Sequence, residues 1–60
     1  MTFKFGDMVR EMEHRDIGRI ISVPADDKPY YVVSFDGTKI RYSIEQVASG
    51  SLRLLHSVTL

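Results

Sequence analysis

Asp36-Gly37, set between the runs Tyr30-Tyr31-Val32-Val33-Ser34-Phe35 and Thr38-Lys39-Ile40-Arg41-Tyr42, constrains this chain more than any other feature. Asp-Gly flanked by β-branched and aromatic residues is a strong short-range signal for a β-hairpin. Both central residues of its type I′ turn need positive φ, which Gly accepts freely and Asp tolerates. The turn fixes the register. Phe35 should face Thr38, Val33 should face Ile40, and Tyr31 should face Tyr42. Side chains alternate along a strand, so these pairs share one oily face, expected to be the core. Tyr30, Val32, Ser34, Lys39, Arg41 and Ser43 take the other face. One oily face and one mixed face describe a half-buried antiparallel sheet.

The rest of the chain reads as short strands and turns around this hairpin. Phe3 and Phe5 have period two and are expected to cap one end of a core. Gly6-Asp7 is a turn signal. Met8 to Glu13 reads as a strand, Glu13-His14-Arg15-Asp16 as a polar loop, and a second strand runs from Gly18 to Val23. Alternation fails at Ile20, Ile21 and Val23, which points to a bulge or bend. Pro24 to Pro29 is a loop whose two prolines bar helix and ladder pairing. Ser43-Ile44-Glu45-Gln46 fits a capping box. It predicts one short helical turn of 3₁₀ type over about Ile44 to Ala48, with Ile44 and Val47 inward. Gly6, Gly18, Gly37 and Gly50 read as turns or bulges. In the tail, Leu52, Leu54, His56, Val58 and Leu60 share one strand face. The last strand of so small a domain needs only about 3–5 residues. Residues 56–60 therefore read as an extension that pairs chains or packs across an open barrel end.

A chain of 60 residues forms one domain and buries only about 60% of its unfolded surface. Small scaffolds of this kind lean on a disulfide, a metal or a partner chain. With no cysteine in the sequence, disulfides and thiolate metal sites are excluded, and a homo-oligomer is the expected remedy. Absence of cysteine fits a reducing compartment. Eight Lys and Arg balance eight Asp and Glu, so the strongly basic footprint of a phosphate-backbone binder is missing. No apolar run approaches the roughly 20 residues that span a bilayer. The N-terminus lacks a signal-peptide core, so a cytoplasmic chain with no membrane partner is expected.

Strand, loop, strand, loop, hairpin, helical turn, strand is the order of an SH3-like small barrel. Gly6-Asp7-Met8-Val9, Gly18-Arg19-Ile20, Val23, Tyr31 to Gly37, Tyr42 and Val47 resemble the Tudor-like and KOW-like barrels of bacterial proteins. The pattern is also similar to the Tudor-like C-terminal domain of DNA-repair helicases. That resemblance implies an all-β, five-stranded SH3-like barrel over about residues 5–55, and, in the helicases, docking to RNA polymerase or nucleic acid. Lys39-Ile40-Arg41-Tyr42-Ser43-Ile44 resembles more distantly the Val-Gln-Ile-Tyr signature of type II plasmid dihydrofolate reductases, which form tetramers around one pore. Tyr42 matches the tyrosine, but Ile40 stands where that family has its ligand-binding glutamine. Isoleucine offers no donor or acceptor, so reductase activity is not expected.

Four constellations carry candidate chemistry. Glu11, Glu13, His14 and Asp16 could hold a divalent cation, but with Arg15 among them they read as a solvated loop and no metal is expected. His14 and His56 are isolated; His56 on a self-associating strand would make pairing weaken on protonation. The aromatics Phe3, Phe5, Tyr30, Tyr31, Phe35 and Tyr42 could form a cage for a methylated cation, yet the register sends Tyr31, Phe35 and Tyr42 to the core. The outer hairpin face, Tyr30, Val32, Lys39 and Arg41 with Arg10 and Arg19 nearby, is the expected binding surface. Tyr and Arg are preferred protein hot spots, and the same residues suit single-stranded nucleic acid. No nucleophile–base set assembles from spacing, and a monomer this small is expected to lack room for a pocket of about 300 Å³. The sequence thus reads as a non-catalytic, cofactor-free binding or assembly module that engages proteins, itself included through Leu54, His56, Val58 and Leu60. Nucleic-acid binding is the alternative.

Overall fold

The computed structural model describes residues 2–57. Five strands, β1 (Met8–Glu11), β2 (Ile17–Ser22), β3 (Tyr30–Phe35), β4 (Thr38–Ser43) and β5 (Leu52–His56), and one helix, α1 (Ile44–Ala48), make up the fold. The protein is all-β. Its sheet is antiparallel throughout, in the order β4-β3-β2-β1-β5. Consecutive strands meander from β4 back to β1, and the last strand returns to pair with the first. β4 and β5 are therefore the two edges.

The central hairpin forms in the expected register, with Phe35 opposite Thr38, Val33 opposite Ile40 and Tyr31 opposite Tyr42. Asp36 and Gly37 take φ of 51° and 89°, as the turn requires. Val9, Ile20, Tyr31, Val33, Tyr42, Val47 and Leu52 form the core with Phe3, and Phe35 packs against it. Ile40 occupies the inner face but is 42% exposed, contrary to the expected burial. It lies on an edge strand, and only Tyr42, farther along β4, reaches the core.

β2 carries the expected irregularity, a register shift between Ile20 and Ser22. β1 ends at Glu11, two residues early, because the chain there turns into a hydrogen-bonded loop. Phe5 is 70% exposed while Phe3 is buried. The turn at Phe5-Gly6, with the Asp7 N–H donating to the Lys4 carbonyl at 3.1 Å, breaks the extended run that would have sent both rings inward. Between the prolines, Ala25 and Lys28 exchange backbone hydrogen bonds of 2.9 and 3.1 Å. That stretch is a tight turn with an isolated bridge, made by residues that keep their N–H groups.

α1 is an α-turn, not 3₁₀. Its capping box is complete: the Gln46 N–H donates to Ser43 Oγ at 3.0 Å, and the Ser43 N–H donates to Gln46 Oε1 at 2.7 Å. Gly50, at φ 92°, closes the other end. Its N–H reaches the Val47 carbonyl and the Ser51 N–H reaches that of Gln46, the pattern of a Schellman cap. The helix type decides the fate of Ile44. Residues three apart eclipse in a 3₁₀-helix but are offset by about 60° in an α-helix. Val47 is buried and Ile44 is left 49% exposed.

Candidate functional site

β4 has one face in each of two clefts, each of about 430 Å³. Both exceed the room expected from chain length, because they are open grooves at the sheet's edge and not enclosed cavities. Alternation along Thr38–Ser43 puts Lys39 and Arg41 in one groove and Ile40 and Tyr42 in the other.

The outer groove assembles Tyr30, Val32, Lys39 and Arg41, as expected, and adds Ile21, Ser22 and Lys28. The Arg41 guanidinium lies 4.8 Å from the centroid of the Tyr30 ring, a cation–π contact that holds both side chains. Lys28 arrives through the bridged turn, where its carbonyl also accepts from the Tyr30 N–H at 2.8 Å. Three cations and no carboxylate line this groove. Arg10 does not join it, and nor does Arg19. Its pairing with Ser34 sets it farther along the sheet. There its Nη1 donates to the Gly6 carbonyl at 3.3 Å and it borders a shallower depression with Met8 and Ile17. Lys28 escaped the sequence reading; its place just before the hairpin was the available signal.

The strands sort charge in the same way. Arg10, Arg19, Lys39, Arg41 and Arg53 all alternate with inner-face residues and point outward, and Glu11 is the only strand carboxylate among the described residues. Arg10 lies opposite Arg53 on β5, with its Nε buried and without a hydrogen-bond partner. The balanced net charge conceals this segregation.

The inner groove is acidic. Glu11, Glu13, His14 and Asp16 border it with Phe35, Ile40 and Tyr42. Its acidic rim is built by the β1–β2 loop. The Arg15 N–H returns to the Glu11 carbonyl at 2.7 Å, with Arg15 at φ 65°, and the Glu11 N–H donates to the Asp16 carbonyl at 2.7 Å. The Glu11 side chain is 13% exposed. Its Oε2 accepts from the Glu13 N–H at 2.7 Å; its Oε1 accepts from the His14 N–H at 2.7 Å and contacts His14 Nδ1 at 2.9 Å. Desolvation pushes the Glu11 carboxyl up, but the His14 and Glu13 backbone donors and the imidazole together hold it below its ordinary value. The hydrogen bond to Glu11, aided by the charges of Glu11, Glu13 and Asp16, raises the His14 pKa. Burial, then the same three carboxylates, raises that of Tyr42.

Ligand atoms of Glu11, Glu13 and His14 lie within 4.8 Å of one another, the spacing that could hold a cation. The loop's own donors already occupy both Glu11 oxygens, so the carboxylate acts as the clasp of the loop. The aromatics do not form an exposed cage. Tyr31 and Tyr42 are buried. Phe3 meets Tyr31 and Phe35 meets Tyr42 edge-on, at centroid distances of 5.8 and 6.3 Å.

On β5, Leu52 is buried, whereas Leu54, Leu55 and His56 are exposed along the second edge. Val58 and Leu60, the outer half of the expected self-association surface, lie outside the described residues. Asp7, read from sequence only as part of a turn, is 2% exposed. Its Oδ2 accepts from the Lys4 N–H at 2.8 Å and its Oδ1 from Ser57 Oγ at 3.3 Å, joining the N-terminal turn to the segment after β5. Among the described residues, no helix is long and apolar enough to cross a membrane. Comparison of the chain with protein-family models, curated proteins and solved structures finds no match.

Proposed function

We propose that this chain is a non-catalytic binding and assembly module of the SH3-like small-barrel type, and that it holds an acidic protein partner on the outer face of the β3–β4 hairpin. The observation that carries this reading is the groove in which Lys28, Lys39 and Arg41 converge with Tyr30 and no carboxylate. Cations beside an aromatic and apolar floor favour a carboxylate-bearing protein surface through charge complementarity and hot-spot chemistry. Single-stranded nucleic acid would need free ring faces for stacking. Tyr30 is the groove's one aromatic, and Arg41 covers one face of its ring. The non-catalytic reading is supported by the engagement of Glu11 and His14 in loop hydrogen bonds. A cysteine-free chain suits the cytoplasm, where we propose it acts.

Fluorescence anisotropy with an oligoglutamate peptide and with oligothymidylate tests the choice of partner. The peptide should bind more tightly. The paired substitution Lys39→Glu and Arg41→Glu should weaken it at least about tenfold, as expected for losing close charge pairs. Tighter binding of oligothymidylate, with a steep loss on adding salt, would transfer the groove to nucleic acid.

Self-association is the second part of the proposal, supported by the exposed leucines on the open β5 edge. Light scattering should detect a dimer that Leu54→Lys shifts toward monomer. A monomer at all concentrations would remove this part and leave the first intact.

A further inference from the structure

The β4 edge bears on how an acidic partner is held. In a two-residue hairpin the residues flanking the turn exchange hydrogen bonds, and bonded and non-bonded pairs then alternate. From the pairing of Phe35 with Thr38 onward, Thr38, Ile40 and Tyr42 direct their backbone groups to β3. Lys39, Arg41 and Ser43 direct theirs away from it. The Ser43 N–H is taken by Gln46 Oε1 at 2.7 Å. No described strand lies beyond β4. The open edge is thus a window of two residues, Lys39 and Arg41, with a cationic side chain at each.

Resting on the function proposed above, we propose that this window receives an extended segment of the partner as an added β-strand, with carboxylate side chains at alternate positions. Strand addition draws affinity from main-chain hydrogen bonds and specificity from alternate side chains. Residues opposite Lys39 and Arg41 would stand on the outer face, where cross-strand charge pairing favours Glu or Asp. The residue between them would lie opposite Ile40, whose 42% exposure leaves apolar surface for a Val or Ile to cover.

Charge excludes the chain's own edges from this role. A second β4 in antiparallel register would set Lys39 and Arg41 against their like, and β5 would bring Arg53 to the same face. Like charges directly opposite are destabilising, and charged edge residues are a recognised guard against self-pairing.

The test uses the wild-type chain and two capped peptides of one composition, Ser-Glu-Val-Glu-Val-Glu-Ser and Ser-Glu-Glu-Glu-Val-Val-Ser. The alternating peptide should bind at least about fivefold more tightly, the effect of one or two aligned hydrogen bonds. At saturation it should slow amide hydrogen exchange at Lys39 and Arg41 selectively. Backbone N-methylation of its central residues should abolish the advantage. Equal binding of both peptides, with exchange at Lys39 and Arg41 unchanged, would overturn strand addition and leave side-chain docking in place. Failure of both peptides to bind would overturn the acidic-partner reading as well.

Discussion

Gly18 lies under the ring of Phe35, so close that a Cβ on residue 18 would stand 2.7 Å from the Phe35 Cδ1 and 2.7 Å from the Val33 Cγ1. This glycine sits within β2, opposite Val9, and marks neither a turn nor a bulge. Its missing side chain lets a ring from β3 lie across the sheet. Gly18→Ala should therefore overpack the core and cost about 1–3 kcal/mol in chemical denaturation. Phe35→Leu in the same chain should recover part of the loss. Full additivity of the two substitutions would show that the ring is not what the glycine makes room for.

Asp7 gives a second stability prediction. Its buried carboxylate accepts the Lys4 N–H at 2.8 Å, in a part-buried hydrogen bond. Asp7→Ala should cost about 2 kcal/mol, the scale of a buried hydrogen bond to a charged group whose donor is left unpaired. Asp7→Asn, which keeps an acceptor, should cost less. Urea midpoints of the two variants measure the difference.

The Glu11–His14 contact predicts a pH window. His14 has a raised pKa, so its contribution is complete below its unfolded value of about 6.5 and fades as pH rises through the folded value. Glu11 has a lowered pKa, so its contribution is present above its model-peptide value of 4.5 and fades as pH falls through the folded value. The pair supports the β1–β2 loop most between these limits. In an NMR titration, Glu11→Gln should return the His14 pKa toward its ordinary value. An unchanged His14 titration would mean the contact does not persist in solution.

Tyr42 supplies a spectroscopic reporter of the acidic groove. Burial is the first cause of its raised pKa and the nearby carboxylates add to it. Neutralising Glu13 and Asp16 together, as Gln and Asn, should lower the phenol's titration midpoint in ultraviolet difference spectra without returning it fully to the ordinary value. A complete return would make charge, and not desolvation, the governing cause.

The hairpin was legible because a two-residue turn with special φ demands fixes register and face from local sequence alone. The capping box at Ser43 and Gln46 was legible for the same reason. Features set by distant contacts were not. Ile40 has the alternation of a core residue, and only its place on an edge strand exposes it. Phe5 has the period of a strand that a turn interrupts. The sequence placed Tyr30, Val32, Lys39 and Arg41 on one surface, but the arrival of Lys28 and the departure of Arg19 depend on the folding of the proline-flanked turn and on the β2–β3 register. Asp7 is buried and accepts a hydrogen bond from Ser57, 50 positions away, a partner that no local window contains.

The sorting of cations and carboxylates into the two grooves of β4 gives the molecule a positive and a negative pole at zero formal net charge. Near its isoelectric pH of about 6.7, each pole should still adsorb to a matrix of the opposite sign. At low ionic strength the protein should be retained on sulfonate and quaternary-amine columns alike, and released from both by modest salt.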